Sequence, residues 1–351
     1  MTTGSGGGRR ICIVMMSAIG DAVHVLPIIT ALKRQEPGAT ITWILEPGPA
    51  SLVRGHPDVD EILVFEKSRG WRGMLALRRQ LLTRAFDLVI DLQVYIKAGL
   101  VTSFVRAPVK LGFDKARARD LNWLFTTQRI PPHAPQHVAD QYLEFLTALE
   151  MDSDTSEWKL GPWPSELARA EELRATLPRP FATLVIGATH HEKEWIAERW
   201  AEVANALRSD FGLEPSLAGG RTPGEIATAE RISSLMRVPP HDTLGVPLRD
   251  LVTIIDASEL VISLDTAPLH MSVALERPVI SLMGYNNPKR VGPYKRYHDL
   301  IVDAYGDPGE DYPISYAHRL GRMPRITVRD VLDKVERWRS AYRDRAASTR
   351  S

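Results

Sequence analysis

Cysteine is almost absent from this chain. The single Cys12 excludes an intramolecular disulfide and any cysteine-cluster metal site, which fits a reducing compartment. Long apolar runs are missing as well. No stretch approaches the roughly 18 uninterrupted apolar residues that a membrane-spanning helix requires. Residues 1–8 (MTTGSGGG) lack the apolar block of a secretory signal, so 1–9 read as a flexible leader, and the polar tail from 343 onward is expected to fray. No charge of one sign dominates: 44 Lys and Arg stand against 43 Asp and Glu, a net charge of +1. That balance argues against nucleic acid as a partner. The expectation is a cytoplasmic protein that can touch a membrane without crossing it.

What is present is an α/β pattern. With 351 residues, 44% hydrophobic and 25% charged, the chain can build two domains with full cores. Buried-strand runs at 11–15 (ICIVM), 40–45, 62–65, 88–91 and 109–112 alternate with helical stretches within 22–35, 71–83 and 97–105. The alternation breaks at 157–164 (EWKLGPWP), read as a linker. It resumes with strands at 182–186, 215–218, 260–263 and 279–283, and ends in a helix within 327–345. The prediction is two doubly wound, Rossmann-like domains at 10–156 and 165–326. Parallel sheets covered on both faces follow from the alternation.

Three loops at strand ends carry polar residues, where open α/β sheets bind ligands. The first, Ser17-Ala18-Ile19-Gly20-Asp21, has Gly20 for an unusual backbone angle or a close ligand. It lacks the glycine spacing of a dinucleotide fold and the lysine of a P-loop. Asp21 reads either as the cap of the following helix or as a general base. The second, 187–195 (GATHHEKEW), offers backbone amides, the Thr189 hydroxyl and the Lys193 ammonium to a phosphate. His190, His191 and Glu192 lack metal-site spacing. The third has Asp265-Thr266-Ala267 before a helix, with His270 one turn in; its free amides suit an anion, although Asp265 and Thr266 also read as plain caps.

Taken together, 19–27 (IGDAVHVLP), 87–97 (DLVIDLQVYIK), 187–195 with Trp200, Asp265-Thr266 with His270, and 274–278 (ALERP) through Gly284 resemble the glycosyltransferase family 9 heptosyltransferases, over roughly residues 10–300. The resemblance implies the GT-B fold, two domains facing a cleft, with the terminal helix crossing back to the first. It implies heptose transfer from an ADP-activated donor to the Kdo–lipid A inner core of lipopolysaccharide, inverting the anomeric carbon. Asp21 would then be the general base. Thr189, Lys193, Glu225, Asp265, Thr266, Ala267 and His270 would bind the donor, with Glu225 at the ribose. Ser17, Gly20, Lys97 and Arg119 would face the acceptor. No cofactor and no metal are expected, since Lys193 and a helix terminus can meet the leaving diphosphate. This chain departs from the family at Ala267-Pro268, where Gly usually follows the Asp-Thr pair, and at Val94, where Gly is common.

The balanced net charge conceals segregation. Residues 67–86 hold six basic side chains (Lys67, Arg69, Arg72, Arg78, Arg79, Arg84) and no acid; Arg106, Lys110, Lys115, Arg117 and Arg119 have only Asp114 among them. These read as a solvated basic face or as capture of an anionic glycolipid acceptor at the cytoplasmic surface of the inner membrane, with Arg69 and Arg72 among the contacts.

Overall fold

The computed structural model describes residues 8–344; residues 1–7 of the expected leader and 345–351 of the tail lie outside the described residues. The chain divides into two compact units. The first runs to Ala134 and includes Ala139–Leu160; the second holds Pro135–Val138 and continues from Gly161. The division falls within the segment 157–164. That segment is packed rather than free: Trp158 and Trp163 are buried, and the Trp158 carbonyl accepts a hydrogen bond from His56 Nε2 at 3.0 Å.

In the first unit six parallel strands, β1 (Arg10–Val14), β2 (Thr40–Leu45), β3 (Glu61–Val64), β4 (Leu88–Asp91), β5 (Val109–Gly112) and β6 (Gln128–Arg129), lie in the order β3-β2-β1-β4-β5-β6. Helices α1 (Ile19–Gln35), α2 (Pro47–Val53), α3 (Gly70–Leu82), α4 (Ile96–Phe104) and α5 (Val138–Ala148) connect or follow them. β1 is apolar without alternation because both faces are covered; Ile11, Cys12, Ile13 and Val14 are fully buried. Burial pushes the Cys12 thiol far up, so it is inert packing.

The second unit repeats the plan with β7 (Phe181–Val185), β8 (Glu214–Ala218), β9 (His241–Asp242), β10 (Leu260–Leu264), β11 (Val279–Met283) and β12 (Ile301–Asp303), ordered β12-β11-β10-β7-β8-β9 and all parallel. Its helices are α6 (Leu167–Thr176), α7 (Ala197–Phe211), α8 (Pro223–Leu235), α9 (Leu248–Ala257), α10 (Ala267–Ala274), α11 (Pro288–Val291) and α12 (Val328–Trp338). The predicted strands are present. The edge strands β6, β9 and β12, of two or three residues, gave no apolar run to read. In the terminal helix Val331, Val335 and Trp338 are buried, and α12 packs on α7, β11 and β12.

Strand order fixes where chemistry can sit. In each sheet the winding reverses once, between β1 and β4 in the first and between β7 and β10 in the second, and the loops at that reversal diverge to leave a crevice. Val14 pairs with Asp91, and Val185 with Ser263, so the loops of each pair emerge side by side.

Candidate active site

In the first unit, the loop after β1 leads directly into α1, whose cap is Ala18. Ala18 has no side-chain acceptor. Asp21, third in the helix, returns instead: its Oδ2 accepts the Ala18 amide at 3.0 Å. Its other oxygen, Oδ1, accepts the Tyr142 hydroxyl of α5 at 3.2 Å. Asp21 is thus not the cap residue itself but a partly exposed carboxylate fixed from two sides. Gly20 takes helical rather than unusual angles.

The loop after β4 holds the other side. The Gln93 side chain brackets the Asp21 loop, accepting from the Met16 amide at 3.1 Å and donating to the Ser17 carbonyl at 2.9 Å. Beneath it, Asp91 is fully buried. Burial raises its pKa to about 7, against hydrogen bonds from the Gln93 amide (3.1 Å), Thr102 Oγ1 (3.0 Å) and Asn122 Nδ2 (3.2 Å). Through these contacts Asp91 ties β4 to α4 and to the turn at Asn122–Phe125. Lys97, on α4, and Arg119, whose amide donates to the Val94 carbonyl at 2.7 Å, are exposed beside it. Tyr142, Gln93 and Asp91 escaped the sequence reading as site residues. Asp91 and Gln93 lie within the segment 87–97 but carry no role there, and Tyr142 meets Asp21 across 121 residues.

In the second unit the Lys193 ammonium reaches Asp265 twice, 2.9 Å from Oδ2 and 2.9 Å from the carbonyl. Asp265 is buried and also accepts from Asn286 Nδ2. Lys193 is therefore no solvated lysine, and part of its charge is already answered. Thr266 occupies the cap position of α10, but its hydroxyl donates weakly to the Leu264 carbonyl (3.4 Å) and caps nothing. Of the next three residues, Pro268 has no N–H and Leu269 donates to the Thr266 carbonyl at 3.1 Å, which leaves the Ala267 amide as the donor without a partner among the described residues. His270 is buried, and burial lowers its pKa to about 4, so it is neutral at pH 7. Thr189 is exposed and makes no hydrogen bond among the described residues.

Glu225, expected at the ribose, stands in the first turn of α8. Its carboxylate closes the start of α8, accepting from the Gly220 amide (2.8 Å), the Thr222 amide (3.0 Å) and the Thr222 hydroxyl (2.7 Å). Although burial opposes it, these bonds hold its pKa down. Gly187 lets the carboxylate come close: a Cβ on it would lie 1.9 Å from Glu225 Oε1 and push that oxygen aside. A ring platform flanks Lys193, in which Tyr285 stacks on His318 (4.7 Å, 5°), while His318 Nδ1 and Asn286 Oδ1 are 2.7 Å apart. The sequence 284–288 signalled only a turn; its pairing with His318, across 32 residues, did not show. Trp195 and Trp200 are core, packed edge to face at 5.0 Å.

The basic groups of the first unit divide. Arg84 pairs with Glu61 at 2.5 Å, Arg117 with Asp114 (2.5 Å) and Glu144 (2.7 Å), and Lys110 donates to the Thr102 carbonyl at 2.8 Å, so these serve the fold. Arg69 and Arg72 are exposed, with Arg72 over the Trp71 ring at 5.6 Å. Among the described residues there is no group of three His, Cys, Asp or Glu side chains placed to hold a metal ion, and no helix long and apolar enough to cross a membrane.

The chain is 26% identical over 340 residues to the lipopolysaccharide core heptosyltransferase OpsX of Haemophilus influenzae, covering 94% of this chain and 96% of that protein. It is 27% identical over 303 residues to lipopolysaccharide heptosyltransferase 1 of Salmonella typhimurium, covering 81% and 91%. Among solved structures, a family 9 glycosyltransferase from Veillonella parvula superposes with a TM-score of 0.80 at 21% identity, covering 95% and 98%. The E. coli heptosyltransferase WaaC with ADP does so at 0.74 and 24%, covering 93% and 99%. These two share the GT-B fold with this chain. The model of glycosyltransferase family 9 (heptosyltransferase) matches residues 74–308. With the two-unit fold and that match, the chain belongs to glycosyltransferase family 9, the heptosyltransferases, and is a glycosyltransferase.

Proposed function

We propose that the chain transfers heptose from ADP-heptose to the Kdo–lipid A inner core of lipopolysaccharide, with inversion. The observation that carries this reading is the Asp21 carboxylate in the first turn of α1, directly after the loop at the winding reversal of the first sheet, held by Ala18 and Tyr142. Asp21 takes the proton of the acceptor hydroxyl as that oxygen attacks the anomeric carbon from the face opposite the nucleotide. The bond from that carbon to the diphosphate oxygen breaks, and ADP leaves with the electron pair. A positioned carboxylate contributes roughly 10²–10⁴-fold to such a step.

Lys193, Thr189, Thr266 and the Ala267 amide meet the diphosphate, with His270 as a neutral wall. Charge on the leaving group is answered by the ammonium and the amide, so the reaction needs no metal. Asp265 sets Lys193, and Glu225 shapes the neighbouring loop. Ser17, Gly20, Lys97, Arg119, Arg69 and Arg72 face the acceptor.

The protein works at the cytoplasmic face of the inner membrane as a peripheral enzyme. More than half of the exposed large apolar side chains among the described residues support this, lying on or beside α3, α4 and the turn after Arg119: Trp71, Leu75 and Leu82; Tyr95, Ile96 and Leu100; Leu121 and Leu124. Exposed apolar groups among basic ones suit an anionic lipid surface. Thermal melting with ADP, UDP, GDP and NAD tests the donor class. The reading expects a rise in Tm with ADP above the others, and no rise with ADP would refute it.

A further inference from the structure

The second unit has a cavity of about 630 Å³ at the sheet edge opposite Lys193 and Asp265. Arg179 lies two residues before β7, Glu259 directly before β10, and Arg277 two residues before β11, whereas Lys193 and Asp265 follow strand ends. Arg174 of α6, Asp256 of α9 and Arg343 beyond α12 complete the charged lining. The volume is that of a small-molecule site.

Its hydrogen-bond inventory is lopsided. Each guanidinium carries five N–H donors and no acceptor. Asp256 is already spent, with Oδ2 on Arg174 at 2.6 Å and Oδ1 on Arg277 at 2.9 Å. Arg277 keeps a buried Nε without a hydrogen-bond partner. Arg343 gives one donor to the Phe211 carbonyl at 2.9 Å and lies over the Trp338 ring at 5.7 Å. Arg179 is exposed and makes no hydrogen bond or ion pair among the described residues. Against these donors Glu259 is the one remaining carboxylate of the lining. A concave wall with surplus guanidinium donors and few acceptors is complementary to an oxyanion carrying more than one charge, and guanidinium forks match phosphate oxygens.

We propose that this cavity is a second anion site, which binds a diphosphate-bearing small molecule through Arg179, Arg277 and Arg343. The site is independent of the donor reading. Calorimetric titration of the full chain with inorganic pyrophosphate at about 0.15 M salt tests it, salt at that level screening loose surface attraction. Lys193→Ala, which removes the other phosphate-binding ammonium, retains pyrophosphate binding. Arg179→Glu, alone and with Arg343→Glu, weakens it by about tenfold or more. Arg179 is exposed, so its single variant folds, as its melting curve checks. If the part of ADP binding to Lys193→Ala that Arg179→Glu removes is tighter than that of pyrophosphate, the occupant is a nucleotide; otherwise the diphosphate alone is read. Absence of pyrophosphate binding in Lys193→Ala, or binding there that Arg179→Glu leaves unchanged, overturns the proposal.

Discussion

At the scale of single residues, the two proposed chemical groups are each held by a partner distant in sequence. Tyr142 fixes one oxygen of Asp21. A hydrogen bond to a charged acceptor is worth about 1.5–3 kcal/mol. Tyr142→Phe is therefore expected to lower kcat roughly tenfold or more while leaving the ADP Kd unchanged, as steady-state kinetics and titration will read. Lys193 and Asp265 form the counterpart. Asp265 is buried, so Lys193→Met strands a carboxylate and lowers Tm as well as ADP affinity. The double variant with Asp265→Asn recovers Tm without recovering ADP affinity. A double variant that regains both would show that Lys193 acts on stability alone. The candidate residues themselves were legible because hydroxyl, carboxylate and ammonium groups fell just after apolar runs. Their partnerships were not, since Tyr142 and Asn286 carry no local pattern that announces a distant contact.

At the scale of elements, Asp91 joins β4 to α4 and the turn at Asn122–Phe125, and thereby sets the loop that brackets Ser17. Its folded pKa, about 7, lies above the ordinary carboxylate value. A raised acid favours the folded state while it is protonated. That contribution is complete below the unfolded pKa and is lost as pH rises through about 7. Asp91→Asn cannot ionise. Its stability relative to the parent should thus improve from pH 4 to about 7 and level off above, measured by urea unfolding from pH 4 to 8. A constant difference would mean that Asp91 ionises as freely as an exposed aspartate. Strands and most helices were readable here because buried parallel strands are continuous apolar runs. The edge strands β6, β9 and β12 are too short for a periodicity, and α5, α6 and α9 were passed over beside stronger signals. The basic run 67–86 is uniform in sequence, yet Arg84 is spent on Glu61, 23 residues away.

At the scale of the molecule, the near-zero net charge is a sum over unlike surfaces. The α3–α4 face of the first unit combines apolar and basic side chains, while pairing elsewhere consumes arginines in the fold. On anionic vesicles each exposed Lys or Arg contributes about 1 kcal/mol. Replacing Arg69 and Arg72 with Glu should cut partitioning by roughly thirtyfold or more, with no such loss on zwitterionic vesicles, and Trp71→Ser should reduce it further. Equal flotation of parent and variants would remove this face from the account. The two-unit fold was legible at this scale from alternation alone. Which elements α12 packs on was not, because an amphipathic helix does not disclose which neighbour its stripe covers.

The most direct test of the central claim is transfer of heptose from ADP-heptose to Kdo–lipid A by the parent and by Asp21→Asn, with ADP binding measured on both. The account predicts turnover with inverted anomeric configuration in the parent. In Asp21→Asn it predicts a fall in kcat of about 10²–10⁴-fold at unchanged ADP affinity. Full turnover by Asp21→Asn, or none by the parent with this donor and acceptor, would contradict it.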